Sequence, residues 1–196
     1  MTKRHKYTTS TLVLIGLIGA AYFVNTVMYP RFFDIEWDEE VQLHDGQTII
    51  VHIKRIFERL GNYSGDSVQR DTEVSFDAGG KIGIFSQRFR RYDIDFIHRK
   101  DGYWYIYLIN TTGTPPVKLV DWSAGFLIIN PEGAIRKATS WTELPTEFKT
   151  RNIMPATPDA NGISKFNGSR LTHIEKIKHW KQFPGGAGDD EILRRP

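Results

Sequence analysis

The residue types able to do chemistry are six histidines, 23 carboxylates and several serines and threonines, with no cysteine. The missing thiol excludes cysteine nucleophiles, disulfides and thiolate metal sites. Neutral imidazoles bind zinc when two share one helix face, as in HExxH, and no such motif is present. His173 and His179 fall on different faces of any helix that holds both. His44 precedes Asp45 in a turn sequence, and turn chemistry already accounts for that aspartate. Asp121-Trp122-Ser123-Ala124-Gly125 has the serine and second glycine of a nucleophile elbow. It lacks the first glycine, and no strand–turn–helix pattern surrounds it. Ala78-Gly79-Gly80-Lys81-Ile82-Gly83 is glycine-rich like a phosphate loop, without the required spacing or the following helix dipole. The sequence predicts no catalytic, cofactor-binding or metal-ligating residue, and no cofactor.

Two kinds of group remain. Asp93 and Asp95 alternate along a strand pattern and would suit acid–base hydrolysis of a cell-envelope or carbohydrate substrate. In a chain that is 25% charged such pairs arise freely, and pairing with Arg88, Arg90 or Arg91 is the simpler reading. Tyr103, Tyr105 and Tyr107 share one face of their strand and would form an aromatic row if that face is open. With Trp180 on a basic helix, they make up the predicted contact surface.

The elements that would position these groups are mostly strands. Ile35, Trp37, Val41 and Leu43 alternate with polar residues, and Glu39 interrupts the apolar side, as expected near an edge. Asp45-Gly46 then signals a tight hairpin into Thr48 to Ile56. Gly61 to Thr72 is polar and reads as a loop, followed by a short strand from Thr72 to Phe76. Lys81 to Arg90 alternates again. Asp93 to Arg99 and Tyr103 to Ile109 flank Lys100-Asp101-Gly102, a second hairpin. The latter strand is apolar on both faces (Trp104, Ile106 and Leu108 behind the tyrosines), which places it at the centre of a sheet. Gly113 to Pro116 breaks the pattern, Phe126 to Asn130 resumes it, and Asn130 to Gly133 turns. Near the end, Thr172-His173-Ile174-Glu175 has the form of a capping box. Leu171, Ile174 and Ile177 supply a helical stripe, with Lys176, Lys178 and Lys181 in the last turns.

The amino terminus differs in character. Lys3, Arg4 and Lys6 precede Thr11 to Tyr29, a run without charge. At ~1.5 Å per residue that run approaches the ~30 Å hydrocarbon core of a bilayer. The net charge of +3 is due to those three basic residues. They read as the flank that keeps the terminus cytoplasmic, and not as a nucleic-acid footprint. Gly16 and Ala20 form a small-xxx-small pair able to bring two such helices together. Cleavage near Ala21 would instead release the rest as a secreted protein.

Trp37-Asp38-Glu39-Glu40-Val41-Gln42-Leu43-His44-Asp45-Gly46, with Ile49, Val51 and Lys54-Arg55, resembles the opening of a group of small uncharacterised bacterial envelope proteins. Leu144-Pro145-Thr146-Glu147-Phe148 and Asn152-Ile153 are similar to a motif near their end. The resemblance implies an envelope location and carries no activity. The expectation is therefore a mainly β chain. A cytoplasmic basic tail and single transmembrane helix (1–30) would lead into an antiparallel β-sandwich or barrel-like domain with a short C-terminal helix (31–183). A tail (184–196) too poor in apolar residues to fold would follow. The chain would sit in the inner membrane, touching the bilayer through residues 11–29, with its β domain outside the cytoplasm. It would act as a binding or structural module on an unknown protein or envelope partner, with a small carboxylate-dependent hydrolase as the alternative and no nucleic-acid partner.

Overall fold

A computed structural model describes residues 3–24, 31–60, 67–110, 125–148, 151–154 and 164–180. The first hairpin forms as its alternation predicts, from β1 (Phe32–Gln42) and β2 (Thr48–Arg59). Trp37 lies opposite Ile53, and Val41 opposite Ile49. β3 (Ser67–Gly79) and β4 (Gly83–Arg90) extend the sheet, and β9 (Arg170–Leu171) closes its far side parallel to β1. The order is β4-β3-β2-β1-β9. A second sheet, β5-β6-β7-β8, is built from Tyr92–Lys100, Tyr103–Asn110, Gly125–Ile129 and Ile135–Lys137. β6 lies inside this sheet, with Trp104, Ile106 and Leu108 of one face in the core and Tyr105 and Tyr107 of the other against a second apolar cluster.

The sheets share one core. Trp37, Ile53, Val74 and Phe76 of the first pack with Ile94, Trp104, Ile106 and Ile129 of the second, and the Phe76 and Trp104 rings lie 4.8 Å apart. Burial of these large side chains, at ~25 cal/mol per Å², is the main force holding the layers together. A smaller cluster covers the outer face of the second sheet. There Leu144 and Phe148, on a strap following β8, pack over Phe96, Phe126 and Ile128. The strap is fastened by Arg136 to Glu143 (2.6 Å) and by a Lys100–Glu147 ion pair.

The structure corrects several expectations. α1 spans Lys3–Phe23, so its first turns carry Lys3, Arg4 and Lys6. Its uncharged part, from Tyr7 to Phe23, is about 26 Å long at ~1.5 Å per residue, and it opens on the polar Thr8, Thr9, Ser10 and Thr11, so the apolar part falls well short of the ~30 Å of a hydrocarbon core. No helix among the described residues is long and apolar enough to cross a membrane. The transmembrane anchor, the bilayer contact through residues 11–29 and the single-pass inner-membrane placement are overturned on that ground. Residues 25–29 of the apolar run lie outside the described residues. So do the 184–196 tail, the break at Gly113 to Pro116 and most of the Asp121-to-Gly125 stretch.

β3 begins at Ser67, inside the stretch read as a loop. Its polar residues are buried with partners: Gln69 donates to Thr72 (2.8 Å), and Asp71 accepts from Arg88 (2.6 Å). The capping box forms, with Thr172 N donating to the Glu175 carboxylate (2.9 Å) and Glu175 N to Thr172 Oγ1 (3.3 Å). It starts α2 (His173–Trp180). The stripe, however, is not the one expected: Ile174 is exposed and Lys176 is buried.

Candidate functional site

Four hairpin turns converge at one end of the sheet pair, each built by local chemistry. In the first, Asp45 Oδ1 accepts from Gln47 N (3.0 Å). In the β3–β4 turn, Asp77 Oδ1 accepts from Gly79 N (2.9 Å). Asn130 Oδ1 accepts from Glu132 N (3.1 Å) and Ala134 N (2.7 Å) to shape the β7–β8 turn. Between β5 and β6, Asp101 (φ 52°) and Gly102 (φ 80°) both take left-handed backbone conformations, as a two-residue type I′ hairpin requires. Gly102 has a second constraint, because a Cβ there would lie 3.2 Å from Pro131 Cγ. The β5–β6 and β7–β8 turns are thereby in contact.

Between these turns lies a cleft of about 560 Å³, lined by His44, Asp45, Gly79, Gly80, Arg99, Lys100, Asp101, Gly102, Trp104 and Pro131, with Ala78 and Ile82. Its side chains are held in place. Arg99 Nη2 donates to Gln47 Oε1 (2.7 Å), and its guanidinium sits 5.4 Å over the Trp104 ring. Trp104 Nε1 donates to Ala78 O (3.2 Å). The His44 ring packs edge-on to Phe148 (4.9 Å) and His98 (6.0 Å). The Lys100 ammonium and Glu147 carboxylate stabilise each other's charged forms, raising the lysine pKa and lowering the glutamate pKa. Cations, carboxylates and turn backbone line one concavity, an arrangement suited to a polar ligand with hydroxyl or mixed-charge groups.

The predicted tyrosine row is split by the strap. Tyr103, next to the cleft, is exposed. Tyr105 and Tyr107 are half-buried, with Tyr105 against Phe148 (5.2 Å) and Tyr107 stacked on Phe126 (4.8 Å). Burial pushes both phenols above their ordinary pKa. Trp180 ends α2, and its side chain lies outside the described residues. Asp93 and Asp95 do not simply alternate, because a bulge falls between Ile94 and Phe96. Nor do they pair with Arg88, Arg90 or Arg91. Asp93 takes two contacts from buried Arg55 (3.1 and 2.8 Å) and one from Thr72 Oγ1 (2.9 Å). Asp95 meets Arg151 at 2.9 Å. Among the described residues no three His, Asp or Glu side chains converge to hold a metal ion.

A buried ionic network escaped the sequence reading. Glu39, expected near an edge, is fully buried and accepts from Trp37 Nε1 (3.0 Å), Met154 N (2.8 Å) and Lys176 Nζ (3.0 Å). Lys176 also donates to the carbonyls of Glu40 (2.7 Å) and Asn152. Arg55 donates to Met154 O (2.6 Å) and lies 5.0 Å over the Trp37 ring. Asn152 bridges Ile97 of the second sheet and Gln42 O of the first (2.6 and 3.0 Å). One signal pointed here: Glu39 and Arg55 stand at positions whose strand parity is apolar. The two sequence patches around Trp37–Gly46 and Leu144–Ile153 meet in this network. No family model, curated protein or solved structure matches the chain.

Proposed function

We propose that this chain is a binding module without catalytic turnover, and that its ligand occupies the cleft at the hairpin end. One observation carries the reading: turns from both sheets close around a single concavity whose Arg99, Trp104 and His44 are already fixed by neighbours. A site held before the ligand arrives loses little ordering entropy on binding. Loops on a rigid β scaffold are a common place for recognition. The mixed charge of Arg99, Lys100, Asp45 and Asp101 favours small hydroxylated or zwitterionic ligands, such as sugars and short peptides. The hydrolase reading has no support of equal weight, since Asp93 and Asp95 each face a different arginine.

The test is a titration of the full chain with monosaccharides, disaccharides and dipeptides, followed by amide NMR shifts. The expected result is shifts clustered at residues 44–47 and 99–104, lost in Arg99→Ala at unchanged melting temperature. Shifts confined to other regions, or product release from any of these compounds, would replace the reading.

A further inference from the structure

A second concavity lies apart from the cleft, where the two sheets fail to close on each other. β4 ends the five-stranded sheet and β8 the four-stranded one. Between them runs a groove of about 330 Å³. Its floor is apolar, formed by Phe89, Leu108 and Leu127, all buried, with half-buried Tyr92 beside them. Ile135 completes the wall and is 48% exposed. The polar lining is cationic or neutral, Arg88, Arg90, Lys137 and Gln87, with no carboxylate among the described residues.

The cations are not equivalent. Arg88 is held by Asp71 (2.6 Å) and Glu73 (3.3 Å). Arg90 and Lys137 are exposed and have no carboxylate partner among the described residues. An apolar trough with two unneutralised cations at its rim is complementary to a molecule with an apolar body and an anionic head.

We infer that this groove binds a single-chain anionic amphiphile, a medium-chain fatty carboxylate, with the alkyl chain against Phe89, Leu108, Leu127 and Ile135 and the carboxylate between Arg90 and Lys137. The volume lies at the low end of the ~300–1,000 Å³ of small-molecule sites, which suits one unbranched chain. A peptide adding to the β4 edge would satisfy that edge's backbone groups. It would send alternate side chains away from the sheet interior and leave the trough between the layers unfilled. The inference stands on the groove alone and is independent of the hairpin-end cleft.

The experiment uses the full chain with a diazirine-bearing dodecanoate below its micelle concentration, and maps the photolabelled peptides. Label is expected on Phe89–Tyr92 and Leu127–Ile135, with unlabelled dodecanoate competing. Ile135→Asp, at a half-exposed edge position, should retain the fold and lose labelling. Arg90→Gln with Lys137→Gln should weaken dodecanoate binding about tenfold and leave the weaker binding of dodecanol unchanged. Label concentrated on the exposed apolar residues 12–24 of α1 would overturn the inference. So would undiminished labelling of folded Ile135→Asp, equal losses for dodecanoate and dodecanol in the double variant, or preferential displacement by an extended acidic peptide.

Discussion

At the scale of single residues, the most consequential pair is Glu39 and Lys176. Both are fully buried and their charges are 3.0 Å apart. Each also uses its remaining hydrogen-bonding capacity on neighbours: the Trp37 indole and Met154 amide for the glutamate, two carbonyls for the lysine. Such a pair contributes little net stability compared with apolar residues of the same shape, but breaking it strands a charge in the core. Glu39→Gln is therefore expected to lower the unfolding free energy by about 3–5 kcal/mol. Glu39→Gln combined with Lys176→Met should recover a large part of that loss. Urea denaturation of the two single variants and the double variant measures the coupling. Additive losses would mean that the two charges do not interact.

At the scale of elements, the strap is where acid should act first. Glu143 accepts from Thr139 N (2.6 Å) and Thr139 Oγ1 (2.8 Å) and pairs with Arg136. Together these lower its pKa from 4.5 to about 2. Lys100 lowers Glu147 in the same direction. A carboxyl with a depressed folded-state pKa contributes stability that is present above its unfolded value and lost as pH falls through the folded value. Amide exchange at Thr139 and Phe148 is thus expected to accelerate, relative to the β-sheet core, between about pH 4.5 and pH 2. Glu143→Gln should already show the faster exchange at neutral pH. Elements held by local chemistry were legible in the sequence: the Asp45-Gly46 and Asp101-Gly102 hairpins, the alternation of β1 and β6, and the Thr172–Glu175 cap. Features that depend on distant partners were not. Ser67 to Asp71 looks like a loop until Thr72 and Arg88 supply its hydrogen bonds. The tyrosine row looks open until Phe148, far along the chain, lies over it. Of the candidate cleft, the turn residues were visible and their convergence was not, because that depends on how the two sheets stack.

For the molecule as a whole, the described side chains of α1 take no part in the core of the β domain. The large apolar residues of α1 from Leu12 to Val24 are exposed, whereas the β residues bury each other in a core shared by both sheets. A chain beginning at Arg31 is therefore expected to melt within about 2 °C of the full chain, a shift too small for the loss of a real packing contact. A fall of several degrees, seen by circular dichroism, would place α1 against the β body. In the sequence the uncharged run reads as one span to Tyr29, whereas α1 covers Lys3–Phe23 and gives its first turns to Lys3, Arg4 and Lys6.

The seating of β9 beside β1 has a consequence for synthesis. β1 is among the first strands to leave the ribosome, and β9 and α2 are the last described elements to do so. Until Ser169 O accepts from Asp38 N (3.0 Å) and Lys176 reaches Glu39, the growing chain carries an exposed strand edge and an uncompensated carboxylate. The hairpins, being local, assemble early, so the nascent protein waits nearly finished with one open side. Exposed edges are where chains pair wrongly with one another. A stop before residue 164 would yield a sheet lacking its closing strand, and such fragments would be substrates for quality control before they became partial proteins.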